Sequence, residues 1–195
     1  HCSSIPMARV LQIHDILNDL TIWGVIRPIK ESEHAIIIRQ VDQLYTDSIT
    51  LFDRGYPSYA LMYLMNNQET PRHFVMRCKK GFNKAIIQFV KGRKNSRIIE
   101  LNPTRDIMSM LKDYGYIVTT SATLKVRLVK IKLKGGEVEI LLTNLYDEKL
   151  YTVEDLNYLY GLRWGIETTF NKQKNQQQME QFSGHRVICI QQDYS

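Results

Sequence analysis

The residues best suited to chemistry stand far apart in this chain. In YGLRWGIETTFNKQK, residues 160–174, a glutamate, Glu167, lies between Arg163 and Lys174. Much earlier, Asp53 closes the apolar run ITLF and opens a Gly/Pro turn. Carboxylates delivered by different elements are the hard oxygen donors magnesium prefers, because that ion keeps much of its water and takes only a few protein ligands beside a substrate phosphate. Two such ions can activate water and neutralise charge on the attacking and leaving oxygens of a phosphodiester. Each carboxylate also has a plainer reading. Arg163 and Glu167 fit an i,i+4 surface pair worth a few tenths of a kcal/mol, and Asp53 fits the first residue of an ordinary turn.

The elements that must position these groups can be read from periodicity. MARVLQIHDILND is expected to form a strand through about Ile13, and LTIWGVIRPI a second, closed by Pro28, the two pairing antiparallel. Ser32 is a candidate N-cap for a helix over SEHAIIIRQVDQLY. ITLF reads as a buried strand ending at Asp53, SYALMYLMN as a helix and HFVMRC as a further strand. From Gly81 to Asn144 the pattern predicts hairpins: NKAIIQFV with SRIIEL across the basic turn KGRKN, and KVRLVKIKL with EVEILLTNL across Gly135-Gly136. A two-residue turn at those glycines would set Lys134 opposite Glu137 and Lys132 opposite Glu139, as cross-strand ion pairs. Thr152, with Asp155 three residues on, forms a capping box for a helix from Val153 to at least Lys174.

On that helix Leu156, Tyr160, Arg163, Glu167, Phe170 and Lys174 fall within an arc of roughly 80°. A stripe mixing a phenol, a guanidinium, a carboxylate and an ammonium with Leu and Phe is neither a clean core face nor a clean solvated one. It is similar to the wall of a site. For Tyr160, packing is as good a reading as contact with a ligand.

Composition narrows the partner. In 195 residues, 26 Lys and Arg against 20 Asp and Glu leave a net charge of +6, which favours an anionic partner, nucleic acid ahead of an acidic membrane surface. KGRKNSR, residues 91–97, places Lys91, Arg93, Lys94 and Arg97 on an expected loop, either as phosphate contacts or as a solvated turn. Cys2, Cys78 and Cys189 lack CxxC spacing, which argues for reduced thiols in an intracellular protein. The histidines show no ligand spacing, and no apolar run reaches the ~18–20 residues of a membrane span.

Tyr, two residues, Arg, three residues, Glu, six residues, Lys resembles the YREK signature of DDE transposases of the bacterial IS-four family. LFDRGYPSY is similar to that family's second catalytic aspartate region, and ARVLQIHDILND to the strand that precedes it, so the resemblance covers nearly the whole chain. It implies an α/β, RNase H-like mixed sheet flanked by helices: residues 1–80 as the first part of the core, 81–145 as an inserted β-rich region between the second Asp and the Glu, and 146–195 as the closing part. Asp53 would be the second catalytic aspartate and Glu167 the final glutamate, both binding Mg2+, with Mn2+ as a substitute. Tyr160, Arg163 and Lys174, joined by Lys91, Arg93 and Lys94, would hold DNA. Only two strands precede the first helix where the family has three, so the first catalytic Asp is expected upstream of His1, Asp15 and Asp19 being poor substitutes, and the chain by itself is expected to be inactive. The implied partners are double-stranded transposon ends and target DNA, met by a homodimer in the nucleoid of a bacterial cytoplasm. Two rivals are a non-catalytic DNA-binding remnant and another RNase H-like nuclease such as a junction resolvase.

Overall fold

The computed structural model describes residues 8–133 and 135–163. The chain divides into two compact units, residues 1–36 with 161–195, and residues 37–160.

In the first unit β1 (Ala8–Asp15) pairs antiparallel with β2 (Leu20–Pro28), from Ala8 opposite Pro28 to Asp15 opposite Leu20. The strand runs two residues beyond Ile13, with an irregularity between Ile13 and His14. The turn has a local cause. One carboxylate oxygen of Asp15 accepts from the amides of Leu17 (2.9 Å) and Asn18 (3.1 Å), the other from the Asn18 side chain (2.6 Å), and Asp19 takes the left-handed conformation at φ 52°. Arg9 reaches Glu33 at 2.7 Å.

The division along the sequence falls within α1 (Glu33–Ile38), which is started as expected by Ser32, whose hydroxyl accepts from the amide of Ala35 at 3.1 Å. It is shorter than the periodicity suggests and gives way to a 3-10 turn, Val41–Gln43.

The second unit is a mixed sheet with helices on both faces. β3 (Ile49–Phe52) runs parallel to β4 (His73–Cys78); β7 (Val138–Thr143), β6 (Leu124–Lys132) and β5 (Ser96–Leu101) follow antiparallel, giving the order β3-β4-β7-β6-β5. Strand alternation sorts the side chains. Val75, Val129, Ile131 and Leu141 form one face and pack with Leu145, Leu156 and Tyr160 under α5 (Val153–Gly161). The other face is covered by α2 (Tyr59–Asn66), capped by Ser58, and by α3 (Lys84–Lys91), while α4 (Arg105–Asp113) packs on α2. β3 is one edge strand and β5 the other among the described residues, and of ITLF only Phe52 is buried.

Two expectations are corrected. Residues 84–91 form α3 and not a strand, and no hairpin joins them to β5. The Asn83 side chain accepts from the amide of Ile86 at 2.9 Å, and Ile86 and Phe89, three residues apart, are buried while Ile87 is exposed, which is helical spacing. KGRKN is therefore the connection from helix to strand. The second correction is one of register. The β6–β7 loop has three residues, with the amide of Gly136 donating to Leu133 (2.8 Å), that of Leu133 to Glu137 (2.8 Å), and Gly136 at φ +81°. The extra residue sets Lys132 opposite Val138 and Ile131 opposite Glu139, so the expected Lys132–Glu139 pairing does not form. Lys134 lies outside the described residues.

Two buried cations stitch the sheet to its surroundings. Arg127 on β6 donates to the hydroxyl of Ser96 (2.9 Å) and to the carbonyls of Leu145 (3.1 Å) and Tyr151 (2.7 Å). Lys130, on the opposite face, donates to the carbonyls of Val90 (3.1 Å) and Gly92 (2.7 Å) and stands over the ring of Phe89.

Candidate active site

Asp53 follows the last residue of β3, at the carboxyl end of the parallel pair, where open α/β sheets present their ligand-binding groups. The amide of Tyr56 donates to the carbonyl of Asp53 at 3.1 Å, closing the turn expected from Gly55 and Pro57. Its side chain is half-exposed, 48%, and one oxygen lies 3.3 Å from an Arg77 nitrogen. Arg77 reaches that position because Phe52 pairs with Met76, so the next step along β3 and β4 brings positions 53 and 77 side by side.

The other arm of the same guanidinium lies 2.8 Å from Glu139 on β7, and both of these side chains are largely buried, 15% and 14% exposed. Burial is the largest single influence and opposes the Arg77 charge, but Glu139, Tyr160 and Asp53 together outweigh it, so the guanidinium is held above its ordinary pKa. Asp53, Arg77 and Glu139 thus form a chain of alternating charge on the α5 face. Tyr160, on α5, is buried in the cluster beneath that helix, and its hydroxyl is 3.4 Å from the carbonyl of Phe52, the residue before Asp53. Whatever else Tyr160 does, it packs, and it ties α5 to the end of β3.

The strand directions gather more than this triad. β3, β4 and β6 end, and β5 and β7 begin, at one end of the sheet. The turn at Asp53, Lys79 and Lys80 after β4, and Lys91, Arg93 and Lys94 before β5 therefore share that end, and all five cations are exposed. Arg163 is buried in the turn that follows α5. The helix expected from Val153 to at least Lys174 is thus corrected: α5 ends at Gly161, before Arg163, and Glu167 and Lys174 lie outside the described residues.

The donor chemistry can be tested against a divalent ion. Asp53 offers a hard carboxylate on a half-exposed side chain, and its inner oxygen faces a guanidinium, so positive charge is already drawn to it, which fits a cation ligand. Among the described residues no three His, Cys, Asp or Glu side chains gather to hold a metal, so Asp53 would be one ligand of a set. Sequence reasoning missed Arg77 and gave Glu139 the wrong partner. The signal was a lone arginine in the otherwise apolar run HFVMRC, on a strand next to the one that ends in Asp53.

Residues 9–188 match the model of the transposase DDE domain. The chain belongs to the transposase DDE domain family. It is also 24% identical, over 173 residues, to the transposase InsG of insertion sequence element IS4 from Escherichia coli strain K12. That alignment covers 89% of the chain and 37% of the relative, so the chain spans well under half of that protein's length. The likeness to DDE transposases of the IS-four type, carried in the sequence by Tyr160, Arg163, Glu167 and Lys174, agrees with both matches. Among the described residues of this transposase domain, no helix is long and apolar enough to cross a membrane.

Proposed function

We propose that this chain is the catalytic core of a transposase that hydrolyses phosphodiester bonds at the ends of an insertion sequence and joins the freed 3′-hydroxyl to target DNA. Residues 1–80 and 146–195 would form the two parts of an RNase H-like core, and 81–145 the insertion between them. The observation that carries the reading is the position of Asp53: a half-exposed carboxylate at the carboxyl end of a parallel strand pair, at the same end of the sheet as five exposed cations.

Asp53 and Glu167 would hold Mg2+, or Mn2+ in its place, and the bound ions would supply charge neutralisation at the attacking and leaving oxygens. The chain's own residues do the rest. Arg77 orients the Asp53 carboxylate, and Tyr160 fixes the backbone just before it. Lys91, Arg93 and Lys94 would follow duplex phosphates, positioning DNA without reading its sequence. Arg163 and Lys174 would hold the phosphates of the transposon end nearest the reacting bond, and two copies of the protein would bring two ends together.

The test is cleavage of a duplex carrying the element's terminal repeat, with Mg2+, by the full-length protein and by its Asp53→Asn and Glu167→Gln variants. Each substitution is expected to remove cleavage while leaving duplex binding within about twofold, since phosphate contacts dominate affinity. Cleavage that survives in Asp53→Asn overturns the assignment. Binding without cleavage by the unaltered full-length protein would favour a non-catalytic remnant, and cutting that ignores the terminal sequence would favour a junction-type nuclease.

A further inference from the structure

Arg77 has two carboxylate partners, and they are not equivalent. Its approach to Glu139 is 2.8 Å and joins two largely buried side chains; its approach to Asp53 is 3.3 Å, longer than a good charge-assisted bond, and meets the inner, buried oxygen of a side chain that is otherwise half in solvent. Breaking a short, buried, hydrogen-bonded pair leaves a charge without compensation, whereas a longer contact to a carboxylate whose side chain also reaches water costs less to give up. Glu139 is therefore the anchor of the guanidinium, and Asp53 its exchangeable partner. β4 sits between β3 and β7, so the anchored guanidinium stays within reach of position 53 whether or not the outer interaction is made.

Resting on the reading of Asp53 as a cation ligand, we propose that Arg77 is a resident counter-cation, anchored by Glu139, that occupies Asp53 until a divalent cation displaces it and then offers its freed arm to a phosphate oxygen. Charge alone orders the events. While no divalent ion is bound, Asp53 has a positive neighbour and stays aimed. When the ion arrives, the displaced arm needs an anion, and a planar guanidinium suits phosphate oxygens. Cation entry and phosphate entry then favour each other. Arg77 and Glu139 are positioning residues here, acting on the ion through Asp53.

The two ends of the chain of charges should shift cation affinity in opposite directions. Removing Arg77's charge removes a competitor for Asp53. Removing Glu139's charge releases the guanidinium to Asp53 and strengthens that competitor. Binding of Mn2+ to the intact chain, followed by loss of the free-ion electron paramagnetic resonance signal, reads this without any catalysis. Arg77→Gln is expected to tighten Mn2+ binding by about fivefold or more, and Glu139→Gln to weaken it by a similar factor. Because Arg77→Gln leaves Glu139 buried and alone, the double variant Arg77→Gln with Glu139→Gln guards against misfolding, and it too should bind Mn2+ more tightly than the unaltered chain.

A merely structural role predicts that all three variants weaken binding together. That result, or no change in any of them, overturns the counter-cation role while loss of binding in Asp53→Asn keeps Asp53 as a ligand. If Asp53→Asn binds Mn2+ as well as the unaltered chain, both the counter-cation role and the metal reading fall.

Discussion

The ammonium of Lys130 lies 2.7 Å from the carbonyl oxygen of Gly92, so a strand residue closes the carboxyl end of a helix formed much earlier in the chain. The last carbonyls of a helix have no partner within it, and they carry the negative end of its dipole. Lys130 satisfies two of them and fixes where the basic connection before β5 begins. Lys130→Met keeps the apolar stem over Phe89 and loses both hydrogen bonds. It is expected to lower stability by about 1–3 kcal/mol, read from urea unfolding, and to speed amide exchange selectively across residues 91–95. Uniform exchange across the sheet would refute this role.

Held in that way, Arg93 and Lys94 present their charges from a fixed base. Replacing both by Gln is expected to flatten the slope of log affinity for duplex DNA against log salt by about 1.8, close to 0.9 for each phosphate that is no longer neutralised. An unchanged slope would assign both residues to a solvated turn.

The loop between β6 and β7 makes its two glycines unequal. Gly136 sits at φ +81°, a region a Cβ disfavours, whereas Gly135 has open space and no such angle. Gly136→Ala should cost roughly 1–2 kcal/mol of stability, and Gly135→Ala should be close to neutral or slightly stabilising. Equal effects in denaturant titrations would mean that the loop has the two-residue form.

Acid should weaken the chain through three turn carboxylates. Asp15 is held below its ordinary pKa by the side chain and amide of Asn18, Asp147 by the amides of Leu150 and Lys149, and Asp155 by the hydroxyl and amide of Thr152. A group whose folded pKa is depressed contributes stability that is complete above its unfolded value, near 3.9, and lost as pH falls through the folded one. The urea midpoint should therefore fall below about pH 4, and Asp147→Asn should have a smaller effect at pH 3 than at pH 6. A penalty for that variant that does not change with pH would contradict the assignment.

Local signals are legible where a side chain closes a turn on itself: Ser32, Ser58 and the Thr152–Asp155 pair all start helices where the sequence places them. Asp53 is legible for the same reason, as an acid at the end of a short apolar run. α3 is hidden because Ala85, Ile86 and Ile87 form an apolar run before one polar residue, which imitates a strand unless the capping role of Asn83 is weighed. α4, started by Thr104, is masked by the hairpins expected around it. The partner of Glu139 cannot be found from pairs within one hairpin, because it lies on β4 and depends on which strand borders β7. Register across a sheet is a long-range property, and a three-residue loop in place of two is enough to change it.

Arg127 grips the carbonyls of both Leu145 and Tyr151, the two ends of the link from β7 to α5. With its ends clasped by one side chain, the intervening stretch, 146–150, can grow or shrink outward like a handle, at a chain-entropy cost that rises only slowly with length. One inward thread is Glu148, which accepts from the Ser96 hydroxyl. Peptide tags or reporter loops grafted at 149–150 should leave the helix carrying Tyr160 seated as before.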